Sequence, residues 1–343
     1  MVIKGRDSTP RPPQPVGGLT PQDREREASM ADEGGASAAK AERQDPGGGL
    51  TGPVLVATDL GAAADEAVRQ ADALARALDA PLVVCHVLPE LLQVRMLFPQ
   101  LLQRDADTFR QLEISAAGLV NRRVREVTGR APDEYRVALE SGSPHAGILR
   151  QAEATRPGVV VLGPGRVAER VVRHGSCAVL IARPSAPGSV LAATDFSDPA
   201  LPAVATGAAE AARRGVDLVV IHSVDITPAA AATSLTVYPV LPTLTAEESA
   251  AVRAATLASL RECLDRLNVS GTPIAAEGPA AHAIVETARS RPAELVVVGT
   301  VGRSGLARLA LGSVAEAVVR SAPCSTLVVR LHPGAPGDSP RQP

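Results

Sequence analysis

Short apolar runs alternate with longer amphipathic segments between residues 51 and 331. In the second half of this region, runs of Val, Leu, Ile and Ala predict strands at 189–194, 217–223, 273–277, 294–299 and 325–330. Segments of helical period between them predict helices at 198–214, 245–267, 280–290 and 313–321. Continuous apolar runs are typical of strands buried on both faces of a parallel sheet. The alternation therefore predicts a doubly wound α/β fold, in which ligands bind beyond the carboxyl ends of the strands.

The pattern occurs twice. Val54–Asp59 recurs as Val190–Asp195, 136 residues later, and Val167–Arg173 recurs as Val314–Arg320, 147 residues later. The second copy therefore carries 11 residues before its last helix that the first copy lacks. Each copy is long enough to bury a core of its own. The sequence thus predicts two homologous domains.

The limits of these domains follow from composition. Residues 1–50 and 332–343 are rich in Pro, Gly and mixed charges and offer little apolar surface. Such segments cannot offset the entropy cost of ordering, so we expect disordered tails at both ends. The remaining chain divides into domain 1 at 51–184 and domain 2 at 188–331.

The strand ends of the second copy carry the candidate chemistry. Asp195 follows the first strand, Gly299 and Gly302 follow the fourth, and Gly312–Ser313 opens the next helix, with Arg303 between them. Closely spaced glycines let backbone N–H groups approach an anion, and a helix start adds unpaired donors and a positive dipole end. The spacing is typical of a phosphate cradle with an acidic side chain beside it for a ribose or base.

A second interpretation uses no nucleotide. Ser313 and Glu316 have the spacing of a capping box, in which the two side chains only close the start of the helix. The glycines would then be turn residues. Glycine spacing alone does not decide between the two interpretations.

The stretch Gly299–Ser313 resembles the ATP-binding signature of the universal stress proteins, G-x2-G-x9-G-[S/T]. Thr194–Ser197 and Val314–Val329 also follow that family's pattern, and the resemblance spans both repeats. It implies an α/β fold of two doubly wound five-stranded parallel sheets, each of strand order 3-2-1-4-5 and adenine nucleotide alpha hydrolase-like, arranged as an intramolecular pseudo-dimer. It also implies ATP, with Mg²⁺ as an accompanying ion.

The family's site residues can be carried over by position. The resemblance implies that Asp195 contacts the adenosine part and that Ser223 lies at the adenine wall, where the family usually has an apolar residue. It assigns the phosphates to the residues of the signature, which are Gly299, Gly302, Gly312, Ser313 and Val314.

The first copy departs from the signature. It keeps Asp59 and has Val87 at the adenine-wall position, but Gly163–Arg166 leads directly into the last helix. The missing residues are the phosphate loop and the Gly-Ser helix start. Hydrogen bonds to a charged group contribute about 1.5–3 kcal/mol each. We therefore expect domain 1 to bind no ATP and to act as the pseudo-dimer partner of domain 2.

Composition narrows the classes of partner and location. The formal net charge is −2, and the chain has 3 Phe, 2 Tyr and no Trp, which argues against nucleic-acid binding. No apolar stretch is long enough for a transmembrane helix, and the first residues lack the apolar core of a signal peptide. The scattered cysteines are interpreted as buried apolar side chains. We expect a cytoplasmic protein without a membrane partner.

The preferred function is an ATP-binding universal stress protein that acts as a nucleotide-dependent regulatory or stress-response factor. His86 and His222 are interpreted as structural, and His145 and His282 are expected to have no nucleophile as partner. We therefore expect at most slow ATP hydrolysis or autophosphorylation. The alternative is a nucleotide-independent protein-interaction module of the same fold. An unidentified regulatory protein and a second copy of the chain are further expected partners.

Overall fold

The computed structural model describes residues 49–88, 105–225, 245–300 and 311–330. These residues belong to one compact unit, 46–343. The elements of repeat one are β1 Val54–Ala57, α1 Ala62–Ala77, β2 Leu82–Leu88, α2 Asp105–Thr128, β3 Arg136–Ser141, α3 Pro144–Thr155, β4 Val159–Leu162, α4 Arg166–His174 and β5 Ala178–Ile181. The elements of repeat two are β6 Ser189–Ala193, α5 Leu201–Arg214, β7 Leu218–Val224, α6 Ala246–Arg266, β8 Thr272–Glu277, α7 Ala280–Ser290, β9 Ala293–Gly299, α8 Ser313–Ser321 and β10 Ser325–Val329.

The helix predicted at 198–214 differs from the observed one at its start. Asp198–Ala200 forms a separate 3-10 turn, and the α-helix begins at Leu201. Pro202 has no backbone N–H to bond to the carbonyl four residues earlier. The first turn therefore closes by the tighter bond from the Leu201 amide to the Asp198 carbonyl. The other strands and helices predicted for repeat two agree with the structure to within one residue at each end.

The ten strands of the described residues form one sheet, in the order β3-β2-β1-β4-β5-β10-β9-β6-β7-β8. Each repeat contributes five strands in the predicted order 3-2-1-4-5, and the pairing within each repeat is parallel. The repeats meet where β5 pairs antiparallel with β10, with Leu180 opposite Leu327. These two residues are equivalent in the repeats, so a pseudo-twofold axis passes between them. The predicted pseudo-dimer is confirmed, and its two sheets are continuous.

The sheet is covered on both faces by helices. One core layer includes Val54 of repeat one and Val190 of repeat two, and the other includes Leu55 and Leu191. All four side chains are at most 1% exposed. Alternate residues of each strand thus point to opposite faces and both faces are dry, as the continuous apolar runs require. Because each layer includes both repeats, their apolar cores are joined.

The cysteines lie within these layers. Cys85, Cys177, Cys263 and Cys324 are buried free thiols, as predicted. Burial raises the pKa of Cys85 to about 12 and that of Cys177 and Cys324 to about 11, so these thiols stay protonated at neutral pH. Among the described residues, no three His, Cys, Asp or Glu side chains come together as a metal site. No described helix has both the length and the apolarity needed to cross a membrane.

Candidate functional site

The candidate site of repeat two lies where the direction of strand order reverses. The chain builds β6, β7 and β8 outward in one direction and then places β9 on the other side of β6. The carboxyl ends of β6 and β9 therefore lie side by side, and a crevice forms at such a switch point. Asp195 follows β6 and Gly299 ends β9, so the fold brings these two predicted site residues to the same edge.

A tight turn positions Asp195. The buried Thr194 accepts the amide N–H of Phe196 on its hydroxyl oxygen at 3.1 Å, and Phe196 has φ +65°. The half-buried Asp195 carboxylate accepts the amide N–H of Ser197 at 3.0 Å and also the hydroxyl of Ser197. A left-handed conformation at a bulky residue is uncommon and persists only where its surroundings hold it. The carboxylate is thus held in a fixed orientation at the strand end.

The histidine of β7 supports this turn from the neighbouring strand. Nδ1 of His222 lies 2.8 Å from the carbonyl oxygen of Thr194, and the His222 ring packs 4.3 Å from that of Phe196. In repeat one, Nδ1 of His86 lies 2.8 Å from the Thr58 carbonyl oxygen. A ring nitrogen beside a carbonyl oxygen acts as its donor. The structural role predicted for both histidines is confirmed.

Ser223 makes a local contact with its hydroxyl. Its Oγ donates to the carbonyl oxygen of Gly278 at 2.5 Å, in the turn between β8 and α7. Gly278 has φ +94°, a conformation that favours glycine, and its amide donates to the carbonyl of Val224. The polar group at the predicted adenine-wall position is therefore already paired within the protein.

A backbone hydrogen bond between Thr300 and Gly312 joins the end of β9 to the start of α8. The buried Thr300 donates its amide N–H to the Val329 carbonyl oxygen at 3.1 Å, and its own carbonyl oxygen accepts the Gly312 amide at 2.7 Å. A Cβ built on Gly312 would lie 3.0 Å from that same carbonyl oxygen. Two of the predicted site residues, Gly302 and Arg303, lie between these ends and outside the described residues.

The start of α8 does not form a capping box. Gly312 is the N-cap, and Ser313 is the first helical residue rather than the cap. Glu316 donates its amide to the Gly312 carbonyl, and its carboxylate accepts Arg320 at 3.1 Å and Arg173 of repeat one at 3.0 Å. The capping-box assignment of Ser313 and Glu316 is therefore wrong, while the nucleotide-independent module stays an alternative prediction. The sequence spacing fitted a capping box, but the N-cap of the helix is one residue earlier than that motif requires.

Repeat one is built differently at the equivalent place. β4 ends at Leu162, and α4 begins at Arg166 with Gly165 as its N-cap at φ +144°. A Cβ on Gly163 would lie 3.0 Å from the carbonyl oxygen of Ala63, at the start of α1. The short turn thus packs against α1 and contains no segment comparable to 300–311.

One contact was not predicted. The hydroxyl oxygen of Ser143 lies 2.7 Å from Nδ1 of His145, so the expectation that His145 has no nucleophile beside it is wrong. Ser143 is the N-cap of α3, and its exposed side chain reaches the histidine two positions on. The sequence signal for this pair was a serine directly before a proline that starts a helix, with a histidine two positions after the serine. It is a local contact at a helix start.

Comparison with known proteins agrees with this architecture. The model of the universal stress protein family matches residues 51–183 and again residues 188–330. The chain belongs to the universal stress protein family. The family pattern occurs once in each repeat, so this is a tandem universal stress protein.

Individual relatives cover parts of the chain. A universal stress protein of Thermus aquaticus is 34% identical over 143 residues, 41% of this chain and 98% of the relative. One of Methanocaldococcus jannaschii is 52% identical over 54 residues, which are 16% of this chain and only 32% of that relative. The crystal structure of a universal stress protein from Archaeoglobus fulgidus superposes with a TM-score of 0.52 at 16% identity, over 81% of this chain and 96% of that chain. This last likeness concerns the fold.

Proposed function

We propose that this universal stress protein binds one ATP, in repeat two, and acts as a nucleotide-dependent regulatory or stress-response factor. The start of α8 is the observation that carries the proposal. Its glycine N-cap lies at the switch point of the sheet, whose edge also carries Asp195. The first amide N–H groups of a helix have no acceptor within the helix and bind anions well.

The phosphates would bind to the first backbone amides of α8, which belong to Ser313, Val314 and the residue that follows them. Gly312 supports this role because a Cβ there would fill space already limited by the Thr300 carbonyl. Gly299 at the end of β9 leads into the loop, and we include Gly302 and Arg303 on the sequence signature alone. Arg303 would add a charge-assisted hydrogen bond.

The nucleoside end of the site rests on two side chains. The Asp195 carboxylate is held at the end of β6 and suits the hydroxyl groups of a ribose. Ser223 lies at the adenine wall with its hydroxyl donated to the Gly278 carbonyl. Because the Ser223 hydroxyl already donates to a carbonyl group, a bound base can cover it without leaving a buried donor unpaired.

Repeat one lacks the corresponding phosphate end. Its turn from Gly163 to Gly165 packs on α1 and enters α4 at once. We therefore propose that repeat one binds no ATP and serves as the structural partner of repeat two. The domain limits 51–184 and 188–331 belong to the same proposal, and the tails predicted at 1–50 and 332–343 lie, except for residues 49 and 50, outside the described residues.

The proposed chemistry is binding, with at most slow hydrolysis or autophosphorylation. Mg²⁺ would accompany the phosphates, whose oxygens are ligands that this ion commonly takes in nucleotide sites. We further propose a cytoplasmic location, an unidentified regulatory protein as partner and no nucleic-acid partner, in keeping with the net charge of −2. Association of two chains is also part of the proposal.

Protein purified without added nucleotide provides the test. It is denatured, any released nucleotide is identified by mass, and the apo protein is titrated with ATP by calorimetry. The proposal expects saturable ATP binding. The same protein without measurable ATP affinity would favour the nucleotide-independent interaction module.

A further inference from the structure

Two equivalent arginines reach across the boundary between the repeats. Arg183 follows β5 and Arg330 follows β10. Nη2 of Arg183 donates to the carbonyl oxygen of Val319 at 2.6 Å, near the carboxyl end of α8. Nη2 of Arg330 donates to the carbonyl oxygen of Val172, near the carboxyl end of α4. The last helix of each repeat is thus held by an arginine of the other repeat.

Both guanidinium groups are partly withdrawn from water. Nη1 of Arg183 and Nε of Arg330 are buried and have no hydrogen-bond partner in the part of the chain that the structure describes. Burial lowers the pKa of both arginines, yet an arginine stays charged at neutral pH. Withdrawing a charge from water is costly. The carbonyl groups and negative dipole at a helix carboxyl end offset part of that cost.

Among the described residues, two ion pairs join α4 and α8 directly, and both are more exposed than the contacts of Arg183 and Arg330. Arg173 pairs with Glu316 at 3.0 Å and Glu169 with Arg320 at 3.6 Å, and both arginines have side chains at least 50% exposed. Exposed ion pairs contribute little to rigidity. These pairs also act on α4 and α8 alike. The Arg183 side chain is therefore more buried than these ion pairs, and its hydrogen bond goes to α8 and not to α4.

The backbone of Arg183 is itself anchored. Its amide N–H donates to Oγ of Ser325 at 3.0 Å, at the start of β10. The residue equivalent to Ser325 in repeat one is Ala178, which has no hydroxyl to offer Arg330. Arg183 thus has a side-chain anchor for its backbone that Ala178 cannot give Arg330, whereas Nη2 of Arg330 also donates to the Arg173 carbonyl oxygen at 3.2 Å.

We propose that Arg183, a residue of repeat one, is a positioning residue for the ATP site of repeat two. The proposal rests on the function proposed above. α8 has nine residues, or about 13 Å of helix, so fixing its carboxyl end also fixes where its first amide groups lie. Those amides form the phosphate end of the site. The pseudo-dimer thereby supplies a contact on which ATP affinity depends, although repeat one binds no ATP.

Arg183→Met and Arg330→Met form a matched pair, since the residues are equivalent and similarly buried. ATP affinity of the full chain is measured by calorimetry at a temperature where circular dichroism shows each variant folded. We expect R183M to weaken ATP binding about tenfold, the effect of losing part of one charged hydrogen bond. We expect R330M to bind as the wild type does, within about twofold on the same scale. R183K should recover part of the loss, because an ammonium group can also bond to the Val319 carbonyl.

The outcomes separate the two proposals. Equal weakening in R183M and R330M would indicate general loosening and overturn the positioning role, as would unchanged affinity in R183M. If R183M does not fold, R183K and R330K replace the pair, and only weakening confined to R183K supports the role. A wild-type chain that binds no ATP overturns the proposed function and this inference with it, whereas ATP binding that ignores Arg183 overturns the inference alone.

Discussion

Replacing Gly312 by Val tests the phosphate end of the site. Gly312 has φ −65° and ψ 147°, which any residue can adopt, so the substitution adds no backbone strain. The new Cβ would lie 3.0 Å from the Thr300 carbonyl oxygen, and that neighbour would have to move by a few tenths of an ångström. The two methyl groups beyond it would occupy space at the helix start. We therefore expect a folded protein with an obstructed cradle.

The size of the effect follows from the donors that the valine displaces. Each hydrogen bond from an amide N–H to a phosphate contributes about 1.5–3 kcal/mol. The dipole of α8 adds about 0.3–1 kcal/mol. Losing two such donors costs at least about 3 kcal/mol, which is more than about a hundredfold in Kd. Gly312→Ala should fall between the valine variant and the wild type.

Calorimetric titration with ATP measures this effect, with thermal unfolding as the check on folding. Gly118→Val is the control, because a Cβ at that helical position meets nothing within 4 Å. The control should keep its stability or gain slightly, because valine has a higher helix propensity than glycine, and it should keep its ATP affinity. A Gly312→Val protein that is folded and binds ATP like the wild type would refute the assignment of the phosphates to α8.

Three further predictions address the nucleoside end, the thiols and the core. Asp195→Asn keeps an acceptor for the turn and should weaken ATP binding about tenfold, whereas Asp59→Asn in repeat one should leave calorimetric affinity unchanged. Burial raises the pKa of the Cys85 thiol from 9.0 to about 12, so its contribution to the free energy of unfolding is complete below pH 9 and is lost as pH rises towards 12. Urea unfolding should show this decline in stability between pH 9 and 12, and the decline should be smaller in Cys85→Ala. Leu327→Ala opens a cavity where the sheets join and should cost about 2–5 kcal/mol in the same assay.

The strands and helices of repeat two could be predicted because their signals are local. Runs such as the one predicted at 294–299 and the periodic segments between them are determined by burial on one or two faces. The observed strand β9 begins only one residue earlier, at Ala293. The one misplaced helix start depended on Pro202, whose missing N–H changes the bonding of a single turn. The strand order came from the resemblance and is confirmed in the sheet.

The rest of the site depends on contacts between distant segments. The capping-box spacing at Ser313 and Glu316 was real, but the bond from the Glu316 amide to the Gly312 carbonyl shows that Gly312 is the N-cap. The bond from the Gly312 amide to the Thr300 carbonyl joins this helix start to the end of β9. Arg183 was not identified at all, because its role arises from a carbonyl in the other repeat, and no sequence pattern relates Arg183 to Val319. Register across the β5–β10 pair decides such contacts, and register is a property of the folded sheet.

The number of ATP molecules bound per chain at saturation shows whether repeat two alone binds the nucleotide. Equilibrium dialysis or calorimetry with apo protein of known active concentration measures it. We expect one ATP per chain, lost in Gly312→Val and kept in Asp59→Asn. Two ATP molecules per chain, or one that persists in Gly312→Val and disappears in Asp59→Asn, would contradict it.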